Sequence, residues 1–316
     1  MMDGEKKDKV VAVAVLYRPD LGVLKKMVDS LHHQVVHLVV IDNTPGDVGN
    51  NNSTQAILLV NYPNVRYIAL GENVGIAKAQ NIGIELAKEL AADYVLLMDQ
   101  DSELPPEFVE SLLITFKKVD GKLKGGRPAA AVGPAFVDVK TGEYADAIRH
   151  EGLSVKKINI KGLVEPVGVD YIIASGSLIS MTAMAEIGLM RGDFFIDWVD
   201  IEWGLRANSL NYAIYIDPRT VMRHSIGDDA VSFAGRGVNL HSDFRNYFIV
   251  RNSVYMIAHT AVPIGWKFAQ LWKIPLYVFF YSWHSKHKSY SLKLLFRAVW
   301  DGIAGNMGAG YFASMR

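Results

Sequence analysis

The chain of 316 residues has no cysteine, which excludes disulfides, thiolate metal sites and cysteine nucleophiles. It has no glycine-rich phosphate loop either. Neither G-x-G-x-x-G after the first strand nor G-x-x-x-x-G-K-[ST] occurs, so a nucleotide held here needs its phosphates neutralised otherwise. Internal repeats and low-complexity tracts are absent. The opening "MMDGEKKDKVVAVAVLY" is polar before a short apolar run, so no secretory leader is expected and a cytosolic body is the default. Acidic residues are missing from one long stretch. None lies between Asp243 and Asp301, where Arg245, Arg251, Lys267, Lys273, Lys286, Lys288, Lys293 and Arg297 all fall. With eight of the 33 cations there, 25 remain against all 33 acids, so a mildly acidic body carries a basic tail.

That tail contains "IPLYVFFYSW" at 274–283, in which only Ser282 is polar. Ten residues are too few to span a bilayer, and Lys267 and Lys273 interrupt the upstream extension. Cations interleaved with Trp and Tyr suit a segment lying among the headgroups of an anionic membrane. A helical pair packed on the body, its aromatics buried, accounts for the same composition, and both readings can hold. Nucleic acid is not an expected partner, because the cations sit within apolar sequence rather than on a polar face.

Half of the residues are hydrophobic and 21% are charged, enough for one large core or for one domain with a sizeable extension. The first hundred residues alternate between two periods. "VVAVAVLY" (10–17), "HLVVIDN" (37–43), "VRYIAL" (65–70) and "YVLLMDQD" (94–101) read as buried strands. Helical spacing separates them at 21–34, 54–61 and 75–90. Strand alternating with helix predicts a mostly parallel sheet covered on both faces. Beyond residue 105 come a helix opened by prolines, strands at 129–139 and 167–180, a helix over 194–210, a strand at 212–218 and a loop, "TVMRHSIGDD". The expected division is 8–235 for an α/β domain, split into 8–104 and 105–235, and 236–316 for a helical extension.

Ligands of parallel sheets bind at the carboxyl ends of strands. Here those ends are Tyr17-Arg18, Asp42-Asn43, Gly71-Glu72-Asn73 and Asp99-Gln100-Asp101. Three of the four carry carboxylates. The D-x-D pair matters most, because two like charges so close repel unless a cation sits between them. Hard oxygen ligands suit Mg²⁺ or Mn²⁺, which bridge carboxylates to substrate phosphates. His224 is a candidate imidazole ligand. A solvated turn is the bland reading of the pair. His32-His33 and His284/His287 read as surface residues, and "GDD" at 227–229 as a loop or a metal ligand.

"VVIDNT", "NVGIAKAQNIGI", "YVLLMDQDSEL" and "FFIDWVDIEWGLR", in this order and spacing, resemble the inverting family 2 glycosyltransferases. "IIASGSLIS", "RHSIGDD" and "YFIVRN" are similar to the bacterial rhamnosyltransferase branch of that family, which builds surface polysaccharides. The likeness runs from about residue 10 to 255. It implies the GT-A fold with a C-terminal helical extension, and transfer of L-rhamnose from dTDP-L-rhamnose to a lipid-linked or growing glycan at the inner face of the cell membrane.

Carried over by position, the resemblance gives Asp42 the donor's pyrimidine ring, with the backbone at Val15 and Tyr17 completing that pocket. Asn73, Gly75 and Lys78 would border the nucleotide. Asp99 with its neighbour Gln100 would meet the ribose, and Asp99, Asp101 and His224 would hold the metal. Asp200 matches the family's general base, in a segment where Val199 and Glu202 depart from the usual E-D-x-D. Asp197, and Glu202 in the departing position, therefore stay beside Asp200 as candidate catalytic carboxylates. Arg206 would orient Asp200 or the diphosphate, and Arg251 would border the phosphates. Trp198 and Trp203 offer flat faces for an acceptor sugar, although helix packing explains at least one of them. One base and no partnered nucleophile imply a single in-line step with inversion. Rivals are a hexosyltransferase with a uridine donor, a non-catalytic membrane adaptor that binds sugar nucleotides, and a D-x-D phosphatase. The last normally carries its pair on the first strand, and here it ends the fourth.

Overall fold

Alternation along β1 (Val10–Leu16) divides its side chains between two cores. Val11 and Val13 join Val39, Ile41, Val95 and Leu97 on one face, whereas Val10, Ala12, Ala14 and Leu16 join Leu38, Val40, Leu96 and Met98 on the other. A strand buried on both faces needs helices on both sides. The computed structural model shows this arrangement; it describes residues 7–46, 54–121, 126–139, 141–224, 230–233, 236–239 and 241–315.

The predicted alternation holds through α1 (Leu21–Leu31), β2 (His37–Pro45), α2 (Thr54–Leu59), β3 (Val65–Gly71), α3 (Ile76–Glu89) and β4 (Tyr94–Asp99). Asp20 starts α1 by accepting the Val23 N–H at 3.0 Å, and Leu24, Met27, Val28 and Leu31 form its buried stripe. On the opposite face α3 lies so close to β1 that Gly83 leaves no room for a Cβ beside Val13.

After α4 (Phe108–Val119) follow β5 (Ala129–Asp138), a hairpin of β6 (Ala147–Glu151) and β7 (Ser154–Ile158), β8 (Val167–Val169), β9 (Ser177–Ser180), α5 (Met181–Ile187), α6 (Val199–Ser209) and β10 (Ala213–His224). The main sheet has eight strands in the order β3-β2-β1-β4-β9-β5-β10-β8. Its first four are mutually parallel, and β9 enters antiparallel to both β4 and β5. Chain direction across the sheet reverses between β1 and β4, so the crevice outside their carboxyl ends is the expected ligand site.

A second small hairpin, β11 (Ala230–Phe233) with β12 (Arg236–Asn239), precedes α7 (Asp243–His259), α8 (Ile264–His284) and α9 (Lys288–Ala304). These three helices build a third core around Tyr247, Phe248, Phe280, Tyr281, Leu294 and Leu295. Phe195 from the catalytic half is inserted into it. Among the described residues, no helix is long and apolar enough to cross a membrane.

Several boundaries differ from expectation. Pro105 and Pro106 lie ahead of α4, whose N-cap is Glu107 in the left-handed region. The strand expected over 167–180 is two strands parted by a loop at 170–176. The helix expected from 194 begins at Val199. β10 continues through what reads as a loop, with a register shift between Asp217 and Val221 that accommodates Pro218 inside a strand.

Candidate active site

At the β1–β4 crevice the middle residue of the D-x-D sequence has a structural task. Gln100 accepts the Tyr17 N–H at 2.8 Å and donates to the Tyr17 carbonyl at 3.3 Å, tying the two strand ends together. The main chain at Tyr17, expected to face the nucleoside, is therefore committed to Gln100, while the Tyr17 ring is exposed and Val15 is half-buried. Beside it Asp42 is nearly enclosed, accepting from Tyr67 Oη at 2.7 Å and from the Thr44 N–H at 2.9 Å. A carboxylate oxygen takes two donors, so this arrangement leaves capacity for a pyrimidine N–H.

Asn73 accepts from Asn43 Nδ2 at 2.9 Å and from the Gly75 N–H at 3.0 Å, and the Val74 N–H donates to Asn43 at 2.8 Å. The sequence marks Asn43 only as a strand end beside Asp42 and gives it no role of its own. Gly75 also has a structural task. Its φ is +86°, and a Cβ there would lie 2.7 Å from the Phe195 ring and carbonyl. Its close neighbour is Phe195. The Ile76 N–H then donates to the Phe195 carbonyl at 2.7 Å. Lys78 is exposed and passes Gly192, and Asn81 brackets Met190 through both its N–H, at 3.0 Å, and its carbonyl, at 2.8 Å. One face of α3 thus grips the segment that leads to the base.

That segment is strained. Phe195 (φ +67°), Asp197 (+62°) and Trp198 (+66°) all have positive φ without being glycine. Phe195 sits at the centre of a tight turn closed by the Ile196 N–H on the Phe194 carbonyl, 2.8 Å. The contacts that hold this geometry come from α7. Asn252 Nδ2 donates to the carbonyls of Phe194, Ile196 and Asp197 at 3.0, 2.9 and 2.9 Å. Arg251 donates to Phe194 at 2.9 Å and to Gly308 at 2.6 Å, with its guanidinium over the Phe248 ring.

The candidate carboxylates separate clearly. Asp197 precedes α6 and is chelated by Arg245, whose Nε and Nη2 lie 3.0 and 2.9 Å from it; burial pushes its pKa up against that cation's pull. Among the described residues, Asp200, in the first turn of α6, accepts from main-chain N–H groups, of Ile201 at 2.8 Å and Ala174 at 3.3 Å. Among the described residues no cation pairs with it. Burial pushes its pKa up to about 6, against the backbone donors that lower it. The next residue along, Ser175, accepts the Asp99 N–H at 3.2 Å. Two neighbours in one loop, Ala174 and Ser175, therefore touch both the base candidate and the end of β4 that carries Asp99. Nothing in the sequence signals Ser175 or Arg245.

Four expected site residues are placed elsewhere. Glu202 is buried and paired with Arg206, Nε to Oε1 at 2.9 Å, so it is not poised as a base. Arg206 spends its remaining donors on the carbonyls of Ile187 and Leu189, not on Asp200 or a diphosphate. Arg251 is fully buried and cannot border phosphates. Trp203 is buried with Nε1 donating to the Gly188 carbonyl at 2.9 Å, which is packing; Trp198 remains half-buried at the entrance of α6.

A divalent cation fits the chemistry of Asp99 and Asp101. Asp99 is half-buried at the end of β4 and Asp101 is exposed two residues on, both hard oxygen donors at the mouth of the crevice. Among the described residues, no three His, Asp or Glu side chains gather round one point. Mg²⁺ and Mn²⁺ complete their shells with water and substrate phosphate, so two carboxylates suffice. The side chain of His224 and the residues 227–229 lie outside the described part.

Comparison with known proteins agrees with this geometry. Residues 12–164 match the family described as Glycosyl transferase family 2. The chain is 31% identical over 305 residues to the dTDP-rhamnosyl transferase RfbF of Shigella flexneri, covering 96% of this chain and 98% of the relative. It is 24% identical to an N-acetylglucosaminyl-diphospho-decaprenol L-rhamnosyltransferase of Mycobacterium tuberculosis, over 71% of this chain and 80% of that one. Among solved structures, the mannosyltransferase PcManGT of Pyrobaculum calidifontis, in complex with GDP-Man and Mn²⁺, superposes with a TM-score of 0.54. That match covers 95% of this chain and 76% of the other, at 11% identity. The fold is therefore GT-A, and the chain belongs to glycosyl transferase family 2 and is a glycosyltransferase.

Proposed function

We propose that this enzyme transfers L-rhamnose from dTDP-L-rhamnose to a lipid-linked or growing surface polysaccharide, with inversion and with Mg²⁺ or Mn²⁺ bound. The observation that carries the reaction is Asp200: a carboxylate without a cationic partner among the described residues, its pKa raised, joined through Ala174–Ser175 to the end of β4. The donor assignment is supported by the near full-length likeness to RfbF.

The acceptor hydroxyl oxygen attacks the anomeric carbon as the bond to the diphosphate breaks, and Asp200 takes the hydroxyl proton. Attack opposite the leaving group converts a β-L-rhamnosyl donor to an α-L-rhamnoside. Asp99 and Asp101 would hold the divalent cation, which would supply Lewis-acid stabilisation to the departing diphosphate. Asp42 and Asn73 orient the nucleoside, Trp198 offers an apolar face to the acceptor, and the Arg245-bound Asp197 fixes the entrance of α6. On this reading the enzyme works at the inner face of the cell membrane, where sugar nucleotide and lipid-borne glycan are both within reach. Turnover of a panel of nucleotide sugars tests it: dTDP-L-rhamnose should be consumed fastest, and a uridine-linked hexose consumed in its place would overturn the donor assignment.

A further inference from the structure

α8 and α9 leave uncovered an amount of apolar surface unusual for a soluble protein. On α8, Phe268, Leu271, Trp272, Leu276, Phe279 and Trp283 recur every three or four residues, and Trp272 is 79% exposed. Phe296, Trp300 and Ile303 form a similar stripe on α9, each more than half exposed. The opposite faces, with Trp266, Ile274, Val278, Phe280, Leu294 and Leu295, are buried in the protein. Both helices are therefore already satisfied by the fold, and the outward stripes serve something else.

The charge pattern says what. Lys267 and Lys273 fall on either side of the α8 stripe at helical spacing, Lys286 and Lys288 lie at the turn between the helices, and Lys293 borders the α9 stripe, whose Arg297 is already paired with Asp301 at 2.9 Å. No acidic residue interrupts either helix before Asp301. Lys288 Nζ lies 4.5 Å from the centre of the Trp283 ring, a cation set against an aromatic at the edge of the apolar surface. A second copy of this chain would bring cations against cations. An anionic bilayer offers apolar depth for the Trp and Phe rings and negative headgroups for the flanking lysines.

We propose that the outer stripe of α8, continued by that of α9, is a docking face for the anionic leaflet of a membrane, on which the two helices lie without crossing it. The face is coupled to the catalytic half. Trp266, on the inner side of α8, donates from Nε1 to buried Asp170 at 2.7 Å, the first residue of the loop that carries Ala174 and Ser175. Docking thus fixes the orientation of the crevice relative to the lipid surface. This surface stands independently of the donor sugar.

Flotation of the full-length protein with phosphatidylcholine vesicles, with and without phosphatidylglycerol, tests it. Binding should require phosphatidylglycerol and weaken as salt rises. F268S/W272S/F279S, all at exposed positions, should lower vesicle affinity by about tenfold or more, with an unchanged melting transition. K267Q/K286Q/K293Q should lose the preference for anionic lipid without disturbing the fold. Equal flotation with neutral vesicles overturns the proposal, as does wild-type binding by both variants. Sedimentation of the protein alone covers the other occupant: a dimer that F268S/W272S/F279S dissociates would assign the stripe to a second copy and overturn the membrane reading.

Discussion

Replacing Asn252 with alanine should abolish most turnover while leaving donor binding in place, although Asn252 touches no substrate. Its amide holds the carbonyls of Phe194, Ile196 and Asp197, and its oxygen accepts Arg251 Nε at 3.0 Å. Each such hydrogen bond is worth about 1 kcal/mol net, and each buried polar group left bare costs about 1–3 kcal/mol. Against this stands the conformation being held: three non-glycine residues at positive φ, each storing about 1–3 kcal/mol. The two sides are of the same order, so removing the amide lets the segment relax rather than merely weakening it. Trp198 and the first turn of α6 follow, and Asp200 with them. A displacement of about 1 Å at a reacting group can cost about 10²-fold in rate. The expected result for Asn252→Ala is a kcat lowered by about two orders of magnitude, with KM for the donor nearly unchanged, because Asp42, Asn73 and Asp99 lie on other elements. A role confined to stability would lower the melting temperature and spare kcat. Were the folded variant to keep wild-type kcat, the clamp would have no part in placing the base.

The remaining predictions concern the base and the cation. Since Asp200 must be ionised to accept a proton and burial raises its pKa to about 6, kcat should fall as pH drops through about 6 and level off above pH 7. Asp200→Asn should remove that limb together with turnover, yet still bind dTDP; a variant that kept its rate would pass the role to another group. Chelation should stop transfer, with Mg²⁺ or Mn²⁺ restoring it, and Asp101→Asn should weaken dTDP affinity only when metal is present. An affinity indifferent to metal in the wild type would remove the cation from the mechanism.

The first half of the fold was legible because local periods and tertiary packing agree there. Val10 to Leu16 is apolar without a break, as a strand buried on both faces must be, and α1 and α3 carry single stripes. The second half was legible only in part. α6 was read five residues too long at its start because "FFIDW" keeps helical spacing of its apolar residues, whereas its backbone is dictated by Asn252 and Arg251, more than fifty positions away in the chain. The extent of β10 was hidden by Pro218. Buried Asp217 accepts from the Thr115 and Thr220 hydroxyls at 2.8 and 2.9 Å and from the Arg219 N–H at 3.1 Å, which lets the strand resume after the irregularity. Within the site, residue type was readable but commitment was not. Arg206, Glu202, Arg251 and Trp203 have the chemistry of a sugar-nucleotide site, and each is used up by a buried partner that no spacing reveals.

The insertion of Phe195 among α7, α8 and α9 has a consequence for any attempt to graft acceptor preference between members of the family. The C-terminal helices cannot be exchanged as a cassette at residue 236, since the ring they enclose and the carbonyls they grasp belong to the neighbourhood of the base. A functional chimera must move residues 190–200 together with α7, or the transplanted helices will close over a cavity while the catalytic carboxylate drifts.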